Sequence, residues 1–571
     1  MVEYLRQMTS IVSDAGDEEQ ANQALMAILT EIKGKEALIA SDQKLSKVLE
    51  RLIESESSSA NVIRSLLEQL TPYASEIAYD QYGSHVLESL LKSAARVSED
   101  DGVQKAMAAF SEILSADIYN LMSDRRATFV VRRALIVFSG LNLNEGEILD
   151  EIRKADPSEC KFSGDLSNLI SAVGSLDGMS LDSLTREPHS SVTLQVLLLV
   201  GSRYHSDATA SLISNILGGY NEVTPAERIK SYLDNSITAK LLETTIGVIS
   251  SPAISRKILD DIVDPRDVIC SVDGEDVVNE KADGFSSFLS HKFSFGFLQA
   301  FVSSIKDVNL ATDFVSRVLT PNRIKLLALK GRAHGIGVLL KTAEALVHIV
   351  PPQTIFFKNL CEALGAHSES TWMAILSMSF DSGKRQQTID ERAMTSQGCL
   401  MMSTLFRFKV SSIQAVVSNA KPFLDHLNSM DLNTSRFMTD VGSGRMLQTL
   451  ISVESCFPSN MKTKIIRQLL LSDDPVARLE KLVYDRKVGS WLVTTAWDSA
   501  DLQTKKLIGE NLLKLEGLRE GNWKVWTHCR LSTFSRRNDE WEQTENRKSK
   551  AKDFLKDIVG SNGPLPKKHR Y

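Results

Sequence analysis

The chain is short of the residues that tie, hinge or catalyse. Its six cysteines stand at 160, 270, 361, 399, 456 and 529, with no CxxC spacing and no histidine companions at metal spacing. That excludes a disulfide scaffold or zinc ribbon and predicts reduced, packed thiols in an intracellular protein. With 14 prolines and 30 glycines in 571 residues there is little material for linkers or disordered tracts. The longest apolar run, VLLLV at 196–200, falls far short of the roughly 18 residues that a membrane span needs. The opening MVEYLRQMTS lacks an apolar signal core, so neither secretion nor membrane insertion is expected. GxxxxGK[ST], GxSxG and HExxH are all missing and the ten histidines are scattered singly, which predicts a protein that is not an enzyme and needs no metal or cofactor. The paired Asp473 and Asp474 lie in SDDP, a helix-start sequence rather than a metal site. Positive charge is also scarce: the net charge is −6 and the pI about 6.0, so any affinity for nucleic acid must be local.

What is there is periodic. Apolar residues make up 43% of the chain and recur at i, i+3, i+4 and i+7, as in SANVIRSLLEQL and VQKAMAAFSEIL. The phrase DQKLSKVLERLI at 42–53 returns as DQYGSHVLESLL at 80–91, 38 residues on. Self-similarity at that period marks a helical solenoid, in which each unit buries its apolar face against the next. Further copies begin at 124 (DRRATFVVRRAL), 187 (EPHSSVTLQVLL), 291 (HKFSFGFLQAFV), 440 (DVGSGRMLQTLI) and 487 (KVGSWLVTTAW), with weaker ones at 235, 332, 396 and 521. This predicts an all-α, right-handed superhelix of about eleven divergent repeats, C- or U-shaped, with extra helices in the gaps 137–186 and 343–395. The expected organisation is an acidic cap over 1–31, where Arg6 stands alone against six acids, repeats over 32–310 and 311–555, and a basic tail over 556–571.

Within each phrase an acid is followed by a small residue, a polar residue, an aromatic or basic residue, two aliphatics and then Glu or Gln, as in Asp80, Gly83, Ser84, His85, Val86, Leu87 and Glu88. This pattern resembles the second helix of the Pumilio (PUF) repeat. The stretch GNWKVWTHCRLSTFSRRNDEW at 521–541 makes the chain most similar to the nucleolar protein nine branch of that family. The resemblance implies that these helices read single-stranded RNA at about one base per repeat. Counting the serine of DQYGSHVLESLL as position one, positions one and five share a helix face with position two beside them. The edge-reading pairs implied are Ser46 with Glu50, Ser84 with Glu88, Thr128 with Arg132, Ser191 with Gln195, Ala239 with Glu243, Phe295 with Gln299, Gly444 with Gln448, Ser490 with Thr494, and Asn522 with Trp526. The stacking positions are Lys47, His85, Phe129, Val192, Lys240, Gly296, Arg445, Trp491 and Trp523. Serine with glutamate is the family's guanine-type pair. Val192 and Gly296 offer little to stack on and Phe295 cannot bond a base edge, so base preference is expected from a minority of units, with shape and backbone contact supplying the rest.

Taken singly, each such serine is equally explained by helix capping, and the acids Asp42, Asp80, Asp124 and Asp440 are expected to cap. Recurrence in one register favours a lined face. Two basic clusters add to it: Arg125, Arg126, Arg132 and Arg133 around Phe129, expected to be exposed, and residues 521–550, where lysines and arginines interleave with Trp523, Trp526, Phe534 and Trp541. Trp526 and Trp541 are alternatively the core of a terminal cap. The rival architecture is an armadillo- or HEAT-like scaffold for a protein partner. Such a scaffold has no need of Lys47, Arg132, Lys240 and Arg445 at the repeated positions. The resemblance therefore implies a monomeric nuclear, nucleolar protein that binds single-stranded or partly structured pre-ribosomal RNA among pre-ribosomal particle proteins. Its implied role is in small-subunit assembly, shielding a spacer cleavage site from its nuclease.

Overall fold

The computed structural model describes residues 26–559 except residue 29 and the stretches 56–57, 142–147, 156–159, 219–224, 264–268, 273–274, 279–283, 368–369, 381–387, 432–434 and 486–487. Most of the acidic segment 1–31 and of the basic tail 556–571 lies outside the described residues.

Each copy of the phrase becomes a helix, and its leading acid explains where the helix starts. Asp42 Oδ1 accepts from the backbone N–H groups of Lys44 and Leu45, both at 2.9 Å. Asp80 Oδ1 does the same for Tyr82 and Gly83 at 2.8 Å, and Asp124 Oδ1 for Arg126 at 2.7 Å and Ala127 at 2.9 Å. Asp440 accepts from Ser443 at 2.9 Å. These bonds satisfy amides that the first helical turn leaves without partners, and in Asp42 they hold the carboxyl below its ordinary pKa. Asp474 likewise caps its helix through Ala477 N–H at 3.1 Å.

The phrase helices, numbered in chain order, are α1 (Leu45–Glu54), α2 (Gly83–Arg96), α3 (Ala127–Phe138), α4 (Pro188–Tyr204), α5 (Ser236–Gly247), α6 (Ser294–Ser304), α7 (Pro321–Leu346), α8 (Ser396–Leu405), α9 (Val441–Ile451), α10 (Gly489–Ser499) and α11 (Trp523–His528). The chain divides into two compact units, Met1–Ser304 and Ile305–Tyr571. In the first, α1 to α6 pack successively into a front row, backed by Ala60–Leu70, Asp101–Ala116, Ser163–Gly174 and Ser206–Gly218. In the second, α7 to α11 form the front row, and Lys421–Ser429, Ser459–Leu471, Leu502–Leu512 and Asn538–Val559 succeed one another behind it. Positions three, four, seven and eight of the phrase fill the space between rows: Val86, Leu87, Leu90 and Leu91 are fully buried, and truncating one such leucine to alanine costs about 2–5 kcal/mol.

The small residue just before position one is set by close packing. A Cβ added to Gly398 or Gly489 would collide with the backbone carbonyl of Leu376 or Leu482. At two other repeats a hydroxyl there bonds a preceding carbonyl: Ser443 reaches Arg436 O at 2.7 Å and Thr238 reaches Tyr232 O at 2.8 Å. Helix α7 is two helices joined at Arg332, whose φ of 44° breaks the spiral, so its phrase occupies only the second part. The weakly repetitive gap 343–395 holds Gln353–Ala363 and Thr371–Ser377. There the buried Trp372 stacks on Phe423 at 4.3 Å and donates its indole N–H to Val416 O at 2.9 Å.

One element departs from the helical expectation. Ile269–Val272 pairs antiparallel with Glu275–Val278, Ile269 opposite Val278. In the sequence Asp273 and Gly274 stand between the strands, a pair favoured in two-residue hairpin turns. Among the described residues no helix is long and apolar enough to cross a membrane and no cluster of metal-ligating side chains forms.

Candidate nucleic-acid interface

The front rows sort the phrase positions by depth. Position one is inside the first unit's packing: Ser46, Ser84, Thr128, Ser191 and Ala239 are all buried. Thr128 and Thr193 hydroxyls bond each other at 2.8 Å, while the hydroxyls of Ser46 and Ser191 find no partner. Position two faces out. Lys47, His85 and Lys240 are exposed, and Phe129, Val192 and Gly296 are half-buried, as are Phe295 at position one and Gln299 at position five of the sixth repeat.

Position five lies between these extremes. Glu50 and Glu243 are half-buried, and burial raises the pKa of both carboxyls above the ordinary value, against the opposing pull of His85 on Glu50 and of Lys240 and Arg153 on Glu243. Glu88 is 8% exposed, with the exposed His85 Nδ1 3.5 Å from its carboxylate. Gly296, a poor stacking residue, gives room to the preceding helix: a Cβ there would strike the Glu243 carboxylate. The first unit therefore presents cations at the surface over recessed carboxylates, a mixed face rather than a uniformly basic one.

The arginine cluster is not the exposed patch expected from the sequence. Arg125 and Arg126 are exposed, but Arg133 is only 9% exposed and Arg132 is half-buried. The Arg132 guanidinium sits 4.8 Å from the Phe129 ring centroid, donates to Thr193 Oγ1 at 3.3 Å and reaches His189 O at 3.3 Å. The phrase turns positions five and six toward the neighbouring helices, which is why these two arginines leave solvent.

In the second unit the front row ends in a cleft of about 1260 Å³. It gathers Gln448, Ser490, Trp491, Thr494, Asn522 and Trp523, six of the residues expected at reading positions, with Tyr484 and Lys524 beside them. Trp491 and Trp523 are 53% and 59% exposed, rare for indoles, and Lys524 Nζ stands 5.7 Å from the Trp491 ring. Arg445 is exposed on α9. Asn522 caps α11: its Oδ1 accepts from Val525 N–H at 3.1 Å and its Nδ2 donates to Val483 O at 2.7 Å, which leaves it little capacity to read a base. The rest of the second basic cluster belongs to the end of the fold. Trp541 is buried against Phe534 at 4.8 Å and Trp497 at 5.8 Å, and Lys505 and Lys548 both bond Glu545.

Tyr484 and the position-six threonines were not expected at the site, whereas Lys524 belongs to the basic cluster expected over 521–550. Lys524 is visible as the cation following a position-two tryptophan; the threonines recur in register as Thr244, Thr449 and Thr495.

Comparison with known proteins matches this architecture. The chain is 22% identical over 578 residues to Pumilio homolog 23 of Arabidopsis thaliana, covering 94% of this chain and 71% of the relative. It is 27% identical to Nucleolar protein 9 of Yarrowia lipolytica over 155 residues, 25% of this chain and 21% of that protein. The solved structure of APUM23 with its insert region deleted and GGAAUUGACGG aligns at a TM-score of 0.69 and 19% identity, covering 96% of this chain and 99% of that one, which shows the shared fold. The sequence model of the NOP9-like PUF repeat domain matches residues 34–519, and the chain belongs to that family.

Proposed function

We propose that this chain binds single-stranded RNA along its front-row helices. Bases stack on position-two side chains, chiefly His85, Phe129, Trp491 and Trp523, and meet position five at their edges. The observation that carries this reading is the sorting by depth: in a PUF-family chain, six of the nine residues expected to stack are exposed and the other three half-buried, while positions three and four beside them fill the core in all but the last of these repeats. Recessed carboxylates at Glu50 and Glu88 suit guanine, whose Watson–Crick edge supplies the two N–H donors that a carboxylate can accept. Lys47, Lys240, Arg125, Arg126 and Arg445 supply phosphate contacts, which position the strand without specifying it. Trp491, Trp523 and Lys524 form the kind of stacking platform, aromatic and cationic together, that holds a strand with little regard to sequence.

The relatives named Nucleolar protein 9 and the family membership support a nucleolar site of action on pre-ribosomal RNA, in small-subunit biogenesis among pre-ribosomal particle proteins. Occupying a spacer cleavage site would shield it from its nuclease until the particle matures. Crosslinking the full chain to RNA in cells and sequencing the recovered RNA tests this. Reads concentrated on a ribosomal RNA precursor spacer are expected; reads spread over messenger RNA would refute the ribosomal role, and recovery of no RNA would leave the front face to a protein partner.

A further inference from the structure

Across the packed front helices, position five of one repeat meets position six of the next. Gln448 Nε2 donates to Thr495 Oγ1 at 2.9 Å. Ser403 Oγ donates to Thr449 Oγ1 at 2.8 Å. Thr244 Oγ1 donates to Gln195 Oε1 at 3.1 Å, the reverse direction. The same two positions pair on three pairs of helices, the threonine accepting from Gln448 and Ser403 and donating to Gln195, and of the three position-five residues Gln195 and Gln448 are ones expected to face RNA.

The geometry at Gln448 fixes a direction. Thr495 Oγ1 also lies 2.9 Å from the carbonyl of Trp491, one helical turn back, and its single proton goes there. The hydroxyl can then only accept from Gln448, so the amide must turn its NH₂ group toward Thr495. Its Oε1 has no protein partner among the described residues, and Gln448 lines the cleft with Ser490, Trp491 and Thr494. Thr449 is held the same way, its hydroxyl 2.9 Å from Arg445 O.

We propose that Thr495 is a positioning residue for base selection: it holds the Gln448 amide with Oε1 turned into the cleft, so that this repeat favours a base offering an N–H at that edge over one offering an acceptor. The inference rests on the RNA-binding reading above. A residue that never touches the base thereby helps to set the preference of the repeat before it. An unrestrained glutamine presents either end of its amide and discriminates less.

The test uses the full chain and GGAAUUGACGG with each nucleotide varied in turn. Gln448→Ala identifies the nucleotide whose preference this repeat sets. At that nucleotide Thr495→Val, which keeps the shape and removes the hydroxyl, is expected to narrow the ratio of best to worst base by about five-fold or more, the lower end of what a paired amide contributes. Thr495→Ser is expected to retain the ratio, with the melting temperatures of both variants unchanged. An unchanged ratio in Thr495→Val, an equal loss in Thr495→Ser, or a wild-type preference that Gln448→Ala does not alter would each overturn the inference. Failure of the wild-type chain to bind any of these RNAs would instead overturn the RNA-binding reading.

Discussion

In the first unit the front row carries Lys47, His85 and Lys240 at the surface above the carboxyl groups of Glu50, Glu88 and Glu243, whereas in the second unit Trp491 and Trp523 stand open around a cleft with Lys524. The repeat is the same, and position two is the more open of the reading positions in both. The chemistry at the exposed position is not. A recessed carboxylate discriminates between base edges because a mismatched acceptor would face it with no proton between them. An exposed indole contributes contact with any base, since every base has a π face. The carboxylates of the first region are therefore suited to selecting a sequence and the indoles of the second to holding a strand, with selection there left to Gln448.

Removing the aromatic end gives the largest effect. Replacing Trp491 and Trp523 together by alanine is expected to weaken RNA binding by about 1–3 kcal/mol per lost stack, equally for preferred and scrambled RNA. Melting should stay within about 0.5 kcal/mol, since both rings are largely exposed. Selective loss on one RNA would show that the indoles themselves select bases. Next comes ionic strength. If five to eight phosphates are neutralised, log Kd should rise with log salt at roughly 0.7 per phosphate, a slope of about 3.5 to 5.6, measurable by fluorescence anisotropy. A flat response, or equal affinity for an acidic peptide, would support a protein-binding scaffold.

At the charged end, Glu88→Ala is expected to cost about 1–3 kcal/mol on the preferred RNA and much less on a scrambled one. Equal losses would show that this carboxylate packs and reads nothing. The smallest effect concerns stability. Burial raises the Glu243 pKa, so the folded protein holds that proton more tightly than the unfolded chain, and ionisation at neutral pH opposes folding. Glu243→Gln should raise the melting temperature slightly at pH 7, and the gain should vanish as pH falls below the ordinary carboxylate range. A lower melting temperature at pH 7 would mean that Lys240 and Arg153 outweigh the burial.

Much of this was legible in the sequence because the phrase carries its own structural instructions. The acid starts the helix, the small residue fits under a carbonyl, and the aliphatic pairs face the core, so copies as faint as GNWKVW at 521 still fall on helices. Depth was harder to read. Arg133 looks like a surface residue in RRATFVVRRAL, yet it stands at position six, which the packing of adjacent repeats covers. Asn522 occupies a reading position by register but is used as a cap, because the Gly521–Asn522 step begins a short helix that needs one. The hairpin at 269–278 carries Asp-Gly and β-branched residues that a search for helical period passes over. The pairing of positions five and six depends on two helices at once, and no single repeat contains it.

The central claim is that RNA lies on the front row. It is tested most directly by ultraviolet crosslinking of the full chain to GGAAUUGACGG, followed by mass spectrometry of the crosslinked peptides. Adducts are expected on the peptides bearing His85, Phe129, Trp491 and Trp523. Adducts confined to back-row helices such as Asp101–Ala116 and Ser459–Leu471 would contradict it.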